Sequence, residues 1–195
     1  MQRVIRIVGI GGSSGTRSTV EQALRVCLDA AEHMGAEVRL LNGTELAMPL
    51  YRPGAEAVHG HAARLLRAVA QADAVVLASP AYHGTVSGLV KNALDHLEEL
   101  RDDSRPYLSG RAVGCIAVGQ GWQGAVATLA ALRDITHALR GWPTPIGVAV
   151  NSTAVPFGPE GRCEVPHVQE QLTLMAQQLV EFARARQALL APVTA

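Results

Sequence analysis

The sequence has no net charge at neutral pH, few cysteines and no long apolar run. Its 17 basic residues balance 17 acidic ones, so charge gives no reason to expect a nucleic acid or an anionic membrane as partner. Cys27, Cys115 and Cys163 lie far apart without a CxxC pair, which disfavours a disulfide framework. No apolar stretch reaches the ~20 residues of a membrane span. We therefore expect a cytoplasmic protein.

Apolar segments alternate with helical patterns along the whole chain. A hydrophobic content of 48% over 195 residues is enough for a single domain covering residues 1–195. Strands that are almost wholly apolar, such as 73–79, are typical of parallel sheets buried on both faces. The alternation predicts an α/β fold with a doubly wound, five-stranded parallel sheet. The predicted strands are 3–10, 36–41, 73–79, 111–119 and 144–150, and the predicted helices are 19–34, 55–71, 88–100, 125–140 and 167–190.

Ligands of such sheets bind at the carboxyl ends of the strands, which makes the loops 11–18, 80–88 and 119–124 the candidate site. The first of them matches neither of two common phosphate motifs. The dinucleotide fingerprint GxGxxG requires glycine where the chain has Ser14. It also requires an acidic residue at the end of the second strand, where the chain has Leu41-Asn42-Gly43 and no acid until Glu45. The triphosphate loop GxxxxGK[ST] requires glycine and lysine where the chain has Thr16 and Arg17.

What remains is a loop rich in hydroxyl groups at the start of a helix. Backbone N–H groups and the helix dipole favour an anion there, and hydroxyls add donors without fixed charge. This suits a monophosphate such as that of FMN, which flavodoxin-like sheets bind at the switch between strands one and three. A polar turn capped by Ser18, with no ligand, is the alternative. One hydroxyl cannot fully serve as both helix cap and phosphate donor.

The stretch "SPAYHGTVSGLVKNALDHL", residues 79–97, is the most specific in the chain. It resembles the signature [ST]-P-x-Y-x-G-x-x-x-G-x-[LV]-K-N-x-[LIV]-D of the NAD(P)H-dependent FMN reductase family, although His83 stands where that family often has asparagine. The first loop resembles the family's G-S-x-R-x-x-S, with Gly15 at the arginine position and Arg17 two residues later. The signature is matched by Ser79, Pro80, Tyr82, Gly84, Gly88, Val90, Lys91, Asn92, Leu94 and Asp95.

This resemblance implies a flavodoxin-like three-layer α/β/α domain with FMN as cofactor and NADPH or NADH as co-substrate. Hydride would pass from NAD(P)H to FMN and on to an acceptor, which is either free flavin for a partner monooxygenase or a quinone or azo compound. The resemblance also implies a homodimer or homotetramer. Two alternatives stay open: a flavodoxin-type one-electron carrier without an NAD(P)H site, which the neutral charge disfavours, and a flavin-free descendant.

The resemblance further implies a set of FMN-binding residues and no catalytic side chain, because the cofactor carries the chemistry. We expect Lys91, Asn92 and Asp95 to be structural or to lie at a subunit contact. No metal site is expected, since His59 and His61 are two residues apart and diverge on a helix. The predicted contacts are Ser13, Ser14, Thr16, Arg17, Ser18 and Thr19 for the phosphate, and Pro80, Ala81, Tyr82, His83, Gly84, Gly119, Gln120 and Gly121 for the ring.

Overall fold

A computed structural model describes residues 3–13, 18–54, 59–155, 157–158 and 163–191. Its centre is one parallel sheet with the order β2-β1-β3-β4, and two short strands pair with the far edge of β4. The strands are β1 (Arg6–Gly11), β2 (Glu37–Asn42), β3 (Ala74–Pro80), β4 (Ala112–Gly119), β5 (Trp142–Pro143) and β6 (Val148–Asn151). The helices are α1 (Thr19–His33), α2 (Gly60–Gln71), α3 (Gly88–Asp95), α4 (Trp122–Ala138) and α5 (Pro166–Leu190).

Two hydrophobic clusters cover the two faces of the sheet. Successive residues of β1 alternate between them, because side chains of a strand point to opposite faces: Ile7 belongs to one cluster and Val8 to the other. The first cluster contains the buried faces of α1 and α5, and the second contains those of α2, α3 and α4. Every residue of β3 and β4 is buried, which confirms the prediction that these apolar strands lie inside.

The first four strands and the first, fourth and last helices begin and end within three residues of the predicted bounds. Gly35 follows α1 with a φ of +87°, a conformation that favours glycine and ends the helix as predicted. The predicted apolar stripe of α5 is buried throughout. Within the described residues, no helix has both the length and the apolar character that a bilayer crossing requires.

The prediction of one strand over 144–150 is wrong. The sheet edge instead carries β5 and β6, separated by residues 144–147. Side chains bind the backbone of this interval: Arg133 donates to the Thr144 carbonyl at 3.0 Å, and Gln178 accepts from the Ile146 amide at 3.1 Å. Pro145 has no amide to donate to a neighbouring strand, so the ladder is interrupted.

Three helices also differ from their predicted bounds. The helix α4 begins at Trp122 rather than 125, since the Ala125 amide already bonds the Gly121 carbonyl at 3.2 Å. The helix α3 ends at Asp95, and a 3-10 helix, His96–Leu100, completes the predicted segment. The helix α2 begins at Gly60, while residues 55–58 of its predicted start lie outside the described residues.

A fully buried arginine secures the amino edge of the sheet, just before β4. The Arg111 guanidinium donates to the carbonyls of Ala72 at 3.1 Å, Ala70 at 2.9 Å and Tyr107 at 3.0 Å. Burial lowers the pKa of Arg111 to about 10. The carbonyls of residues 70 and 72 belong to the end of α2 and the turn after it, so this side chain ties that turn to the start of β4.

We expect Arg111→Met to lower the free energy of unfolding by about 3 kcal/mol, because several buried carbonyls lose a charged donor. Urea denaturation measures the change. Arg67→Met on the exposed face of α2 is the matched control and should stay within about 0.5 kcal/mol. A loss below about 1 kcal/mol at Arg111 would contradict the assigned role.

Candidate functional site

Three loops meet at the carboxyl edge of the sheet. We name them the first loop (residues 12–18), the second loop (81–87) and the third loop (120–121), which follow β1, β3 and β4. These strands are neighbours and parallel, and each loop leads into a helix. The N-terminal ends of α1, α3 and α4 therefore lie at this edge, and their partial positive charge favours an anionic group there.

The described part of the first loop leads into a capped helix. The Ser18 hydroxyl accepts from the Glu21 amide at 3.2 Å and is the N-cap of α1, whose first residue is Thr19. The expected competition between capping and phosphate binding does not arise here, because capping uses a lone pair of this hydroxyl and leaves its proton available to a ligand. Ser13 is half-buried. Three predicted phosphate contacts lie outside the described residues: Ser14, Thr16 and Arg17.

One buried hydroxyl joins the first loop to the second. Ser87 donates to the Gly12 carbonyl at 2.9 Å and accepts from the Val90 amide at 3.2 Å, which caps α3. The Gly12 amide in turn donates to the Ala78 carbonyl of β3 at 2.9 Å. A Cβ atom on Gly12 would lie 1.9 Å from Val90 Cγ2. Only glycine therefore lets the first loop pass so close to α3.

The second loop is a closed turn whose tip is exposed. Its base is held by Ser79, which accepts from the Ser87 amide at 2.9 Å. At its tip, the Tyr82 amide donates to the Thr85 carbonyl at 3.1 Å and the Thr85 amide donates back at 3.2 Å. The two residues between them, His83 and Gly84, have φ values of +52° and +85°. This left-handed pair is the turn that Asn-Gly favours, which explains why asparagine is common at the His83 position of the family signature.

The third loop packs against the start of the second. The Ala81 amide donates to the Val118 carbonyl at 2.7 Å. A Cβ atom on Gly119 would lie 3.3 Å from Ala81 Cβ and 3.0 Å from the Ala125 amide nitrogen, so this position has almost no room for a side chain. Gly121 is the N-cap of α4 and has no side chain to accept from the amides of the first turn. Those amides are consequently available to a ligand.

Sequence reasoning missed a fourth segment at this edge, the residues after β6. Ser152 donates to the Gly119 carbonyl through its amide at 2.8 Å and its hydroxyl at 3.2 Å. The Thr153 hydroxyl lies 3.4 Å from the Gln120 carbonyl, and the Thr153 amide donates to Asn151 Oδ1 at 3.1 Å. The polar run Asn-Ser-Thr directly after the last strand could have indicated this segment, because it lies at the edge of the sheet where ligands bind.

The polar residues of the signature on α3 are structural, as expected. Asn92 accepts from the Tyr51 amide at 2.9 Å and donates to the Met48 and Pro49 carbonyls at 3.3 and 3.2 Å. Lys91 donates to Asp95 at 2.6 Å on the exposed surface. Asn92 thus holds the loop that follows β2 against α3, and the Lys91–Asp95 pair spans one exposed turn of the helix.

The cysteines are buried thiols. Burial raises the pKa of Cys27 to about 12 and that of Cys115 to about 11, so both stay protonated and unreactive near neutral pH.

The His59 ring accepts from the His61 amide at 3.3 Å and caps α2. Among the described residues, no three His, Cys, Asp or Glu side chains are grouped as metal ligands would be.

Strand order and converging loops define an α/β protein whose candidate ligand site lies at the carboxyl edge of a parallel sheet. The family model of NADPH-dependent FMN reductases matches residues 5–155. The chain belongs to this family, as its signature predicted. That match spans all three loops and ends just after the missed segment that follows β6.

Curated relatives are similar over part of their length. An FMN-dependent NADPH-azoreductase of Staphylococcus haemolyticus is 33% identical over 119 residues, and the aligned part covers 58% of the chain and 58% of the relative. The corresponding enzyme of Staphylococcus saprophyticus is 34% identical over the same shares. The chain therefore matches little more than half the length of these enzymes.

Solved structures show the same fold at low sequence identity. The flavoenzyme NAD(P)H:(acceptor) oxidoreductase FerB of Paracoccus denitrificans has a TM-score of 0.75 at 22% identity, covering 94% of the chain and 99% of that protein. The NADH:FMN oxidoreductase EmoB has a TM-score of 0.67 at 20% identity, covering 93% and 90%. At these identities the likeness shows a flavodoxin-like α/β fold.

We expect Gly12→Ala to lower the free energy of unfolding by about 1–3 kcal/mol, because the new methyl group overlaps Val90. Urea denaturation measures the loss. Gly88→Ala at the start of α3 is the control, since a Cβ atom there meets nothing within 4 Å. Combining Gly12→Ala with Val90→Ala should cost less than the two single losses together. Additive losses would contradict the proposed overlap.

The turn at the tip of the second loop predicts opposite effects of two substitutions. His83→Asn should preserve or raise stability, because asparagine tolerates left-handed backbone. His83→Val should lower the melting temperature through a cost of about 1–2 kcal/mol, since a β-branched side chain is strained at positive φ. His167→Val, at an exposed helical position, is the control for the loss of a histidine. Equal stability of both His83 variants would contradict the turn.

Proposed function

We propose that the protein is an FMN-dependent NAD(P)H oxidoreductase that transfers hydride from NAD(P)H to FMN and onward to a small-molecule acceptor. The observation that carries this proposal is that Ser87 joins the first loop to the second, while Ala81 of the second loop bonds Val118 near the end of β4, from which the third loop leaves. These loops bring backbone groups close to one another at one edge of the sheet, and the N-termini of three helices lie at the same edge. Membership of the FMN reductase family supports FMN as the group bound there, with NADPH as the hydride donor.

The residues present fit FMN. The first loop presents hydroxyls at the N-terminus of α1, which suits a single phosphate group. We assign the phosphate to Ser13, Ser14, Thr16, Arg17, Ser18 and Thr19. Glycines at positions 84, 119 and 121 keep side chains away from a flat ring at the other two loops. We assign the ring to Pro80, Ala81, Tyr82, His83, Gly84, Gly119, Gln120 and Gly121.

When bound, FMN supplies reversible two-electron chemistry by accepting and releasing hydride. The chain's contribution is binding, orientation and electrostatics. The first-turn amides of α4 are directed toward the carboxyl edge, where preorganised N–H donors stabilise negative charge that develops on a ligand. Tyr82 and Trp122 are each about half exposed beside these loops, at 56% and 51%. They give this edge two aromatic surfaces for a flat co-substrate or acceptor.

The chemical class of the electron acceptor is proposed from the relatives. Since the curated relatives are azoreductases, we include an azo compound beside a quinone and free flavin as acceptors. Delivery of reduced FMN to a monooxygenase, assembly as a homodimer or homotetramer, and a cytoplasmic location belong to the same proposal. The strand order, with helices on both faces, supports a doubly wound three-layer arrangement of the flavodoxin type.

The visible spectrum of the purified protein before and after NADPH tests the cofactor and the hydride donor together. We expect flavin absorption, either as purified or after adding FMN, and its loss on anaerobic addition of NADPH. An azo dye or a quinone should then restore the absorption. A protein that binds FMN but is not reduced by NADPH or NADH would be the one-electron carrier instead. A protein that binds no FMN would refute both.

Gly119→Ala tests the assigned ring site. We expect FMN affinity to fall at least tenfold, because the methyl group crowds Ala81 and the first turn of α4 and displaces the third loop. Fluorescence titration of FMN measures the affinity. Gly60→Ala, at the start of α2, meets nothing within 4 Å and should bind FMN like the parent protein. Unchanged affinity in Gly119→Ala would place FMN elsewhere.

A further inference from the structure

A second concave site lies at the amino edge of the sheet, opposite the three loops. It is a cavity of about 620 Å³ between the segments that precede β1, β3 and β4 and the last turns of α5. Ala183, Ala188 and Leu190 provide an apolar wall. The volume lies within the range of small-molecule sites. The polar residues around it are Arg3, Asp73, Arg105, Arg186 and Gln187.

The charge of this cavity is positive. Three arginines line it, and Asp73 is the acidic residue among the described lining residues. The Asp73 carboxylate is already engaged, because it accepts from Arg3 and from the Arg6 amide, the latter at 2.9 Å. Arg105 directs one nitrogen to the Ala70 carbonyl at 2.6 Å. Within the part of the chain that the structure describes, the positive charges of Arg105 and Arg186 are therefore not paired with a carboxylate of the cavity wall.

Two buried donors of the cavity wall have no protein acceptor among the described residues. They are Arg186 Nε and Gln187 Nε2. A buried donor without an acceptor is costly, and both atoms call for the same complement, an acceptor oxygen. Gly110 adds to the arrangement, since a Cβ atom there would lie 2.5 Å from Arg186 Nε. The absence of a side chain at Gly110 is what admits the guanidinium.

We propose that this cavity binds a small anion through a phosphate or carboxylate group held by Arg186 and Gln187, whose side chains turn from their buried positions toward the ligand when it binds. Guanidinium groups recognise both kinds of oxyanion through paired N–H donors, and the Gln187 amide adds a neutral donor. The apolar wall accommodates the uncharged body of such a ligand. This site is separate from the FMN site, because the two lie at opposite edges of the sheet.

Isothermal titration with inorganic phosphate, and separately with acetate, tests the site at constant ionic strength in chloride. The FMN-loaded protein is used, so that the first loop is not the binding site being measured, and the FMN-free protein is titrated in parallel. We expect saturable binding of at least one ion. Arg186→Gln should weaken it at least about tenfold, because a charge-assisted contact is lost. The tighter ion identifies the favoured group.

Two further variants make the result specific. Arg184→Gln removes the same charge from the same helix, at an exposed residue that bonds the Met34 carbonyl, and should bind within about twofold of the parent. Gln187→Leu keeps the charge and should weaken binding about threefold to tenfold through loss of one neutral donor. It also carries the test if Arg186→Gln does not fold.

The proposal is overturned if the parent binds neither ion saturably, or if Arg186→Gln and Gln187→Leu bind as tightly as Arg184→Gln. Equal weakening by both arginine variants, with no effect of Gln187→Leu, would likewise overturn it, since that pattern marks general electrostatic attraction. Failure of the proposed oxidoreductase activity leaves this test intact, because its readout is the dependence of ion binding on Arg186 and Gln187 in either form of the protein.

Discussion

The candidate site depends on the hydrogen bonds that the Ser87 hydroxyl makes. It donates to the carbonyl of Gly12 and caps α3 at the Val90 amide, while its own backbone amide bonds Ser79. Buried polar groups must find partners, and here one residue, through its side chain and its backbone amide, bonds the first loop, the base of the second loop and the start of α3. The first and second loops are therefore parts of one backbone platform, and the position of either depends on the other.

Much of the fold could be predicted because its central strands are buried on both faces and its helices on one. Those two patterns placed four strands and three helices within three residues, and the 79–97 signature placed the second loop. The pattern wrongly predicted one continuous strand through residues 144–147, because the backbone of this interval bonds the side chains of Arg133 and Gln178 instead of a neighbouring strand. These partners lie 11 and 32 residues away from the groups that they bind, beyond any local periodicity. The polar run after β6 was overlooked because it carries no motif.

The signature combines two kinds of constraint. Gly84 and the residue before it adopt left-handed backbone in the exposed turn, whereas Asn92 bonds the loop after β2 through both the oxygen and the nitrogen of its side-chain amide. A residue can thus belong to a family signature without contacting a ligand. Holding a neighbouring loop through hydrogen bonds restricts the residue type as strongly as ligand binding does. The sequence predicted a structural role or a subunit contact for Asn92, but its partners, 41 to 44 residues earlier in the chain, became visible only in three dimensions.

The two edges of the parallel sheet have opposite electrostatic demands. Helices begin at the carboxyl edge and present N–H groups there, whereas they end at the amino edge and present carbonyls. Arg105 and Arg111 compensate the carbonyls at the end of one such helix, since both donate to the carbonyls of Ala70 and Ala72 where α2 ends. Arg186 Nε does not share this task, because it is buried without an acceptor among the described residues. Compensation of helix ends therefore accounts for Arg105 and Arg111, and Arg3 pairs with Asp73, which leaves the charge of Arg186 for a ligand.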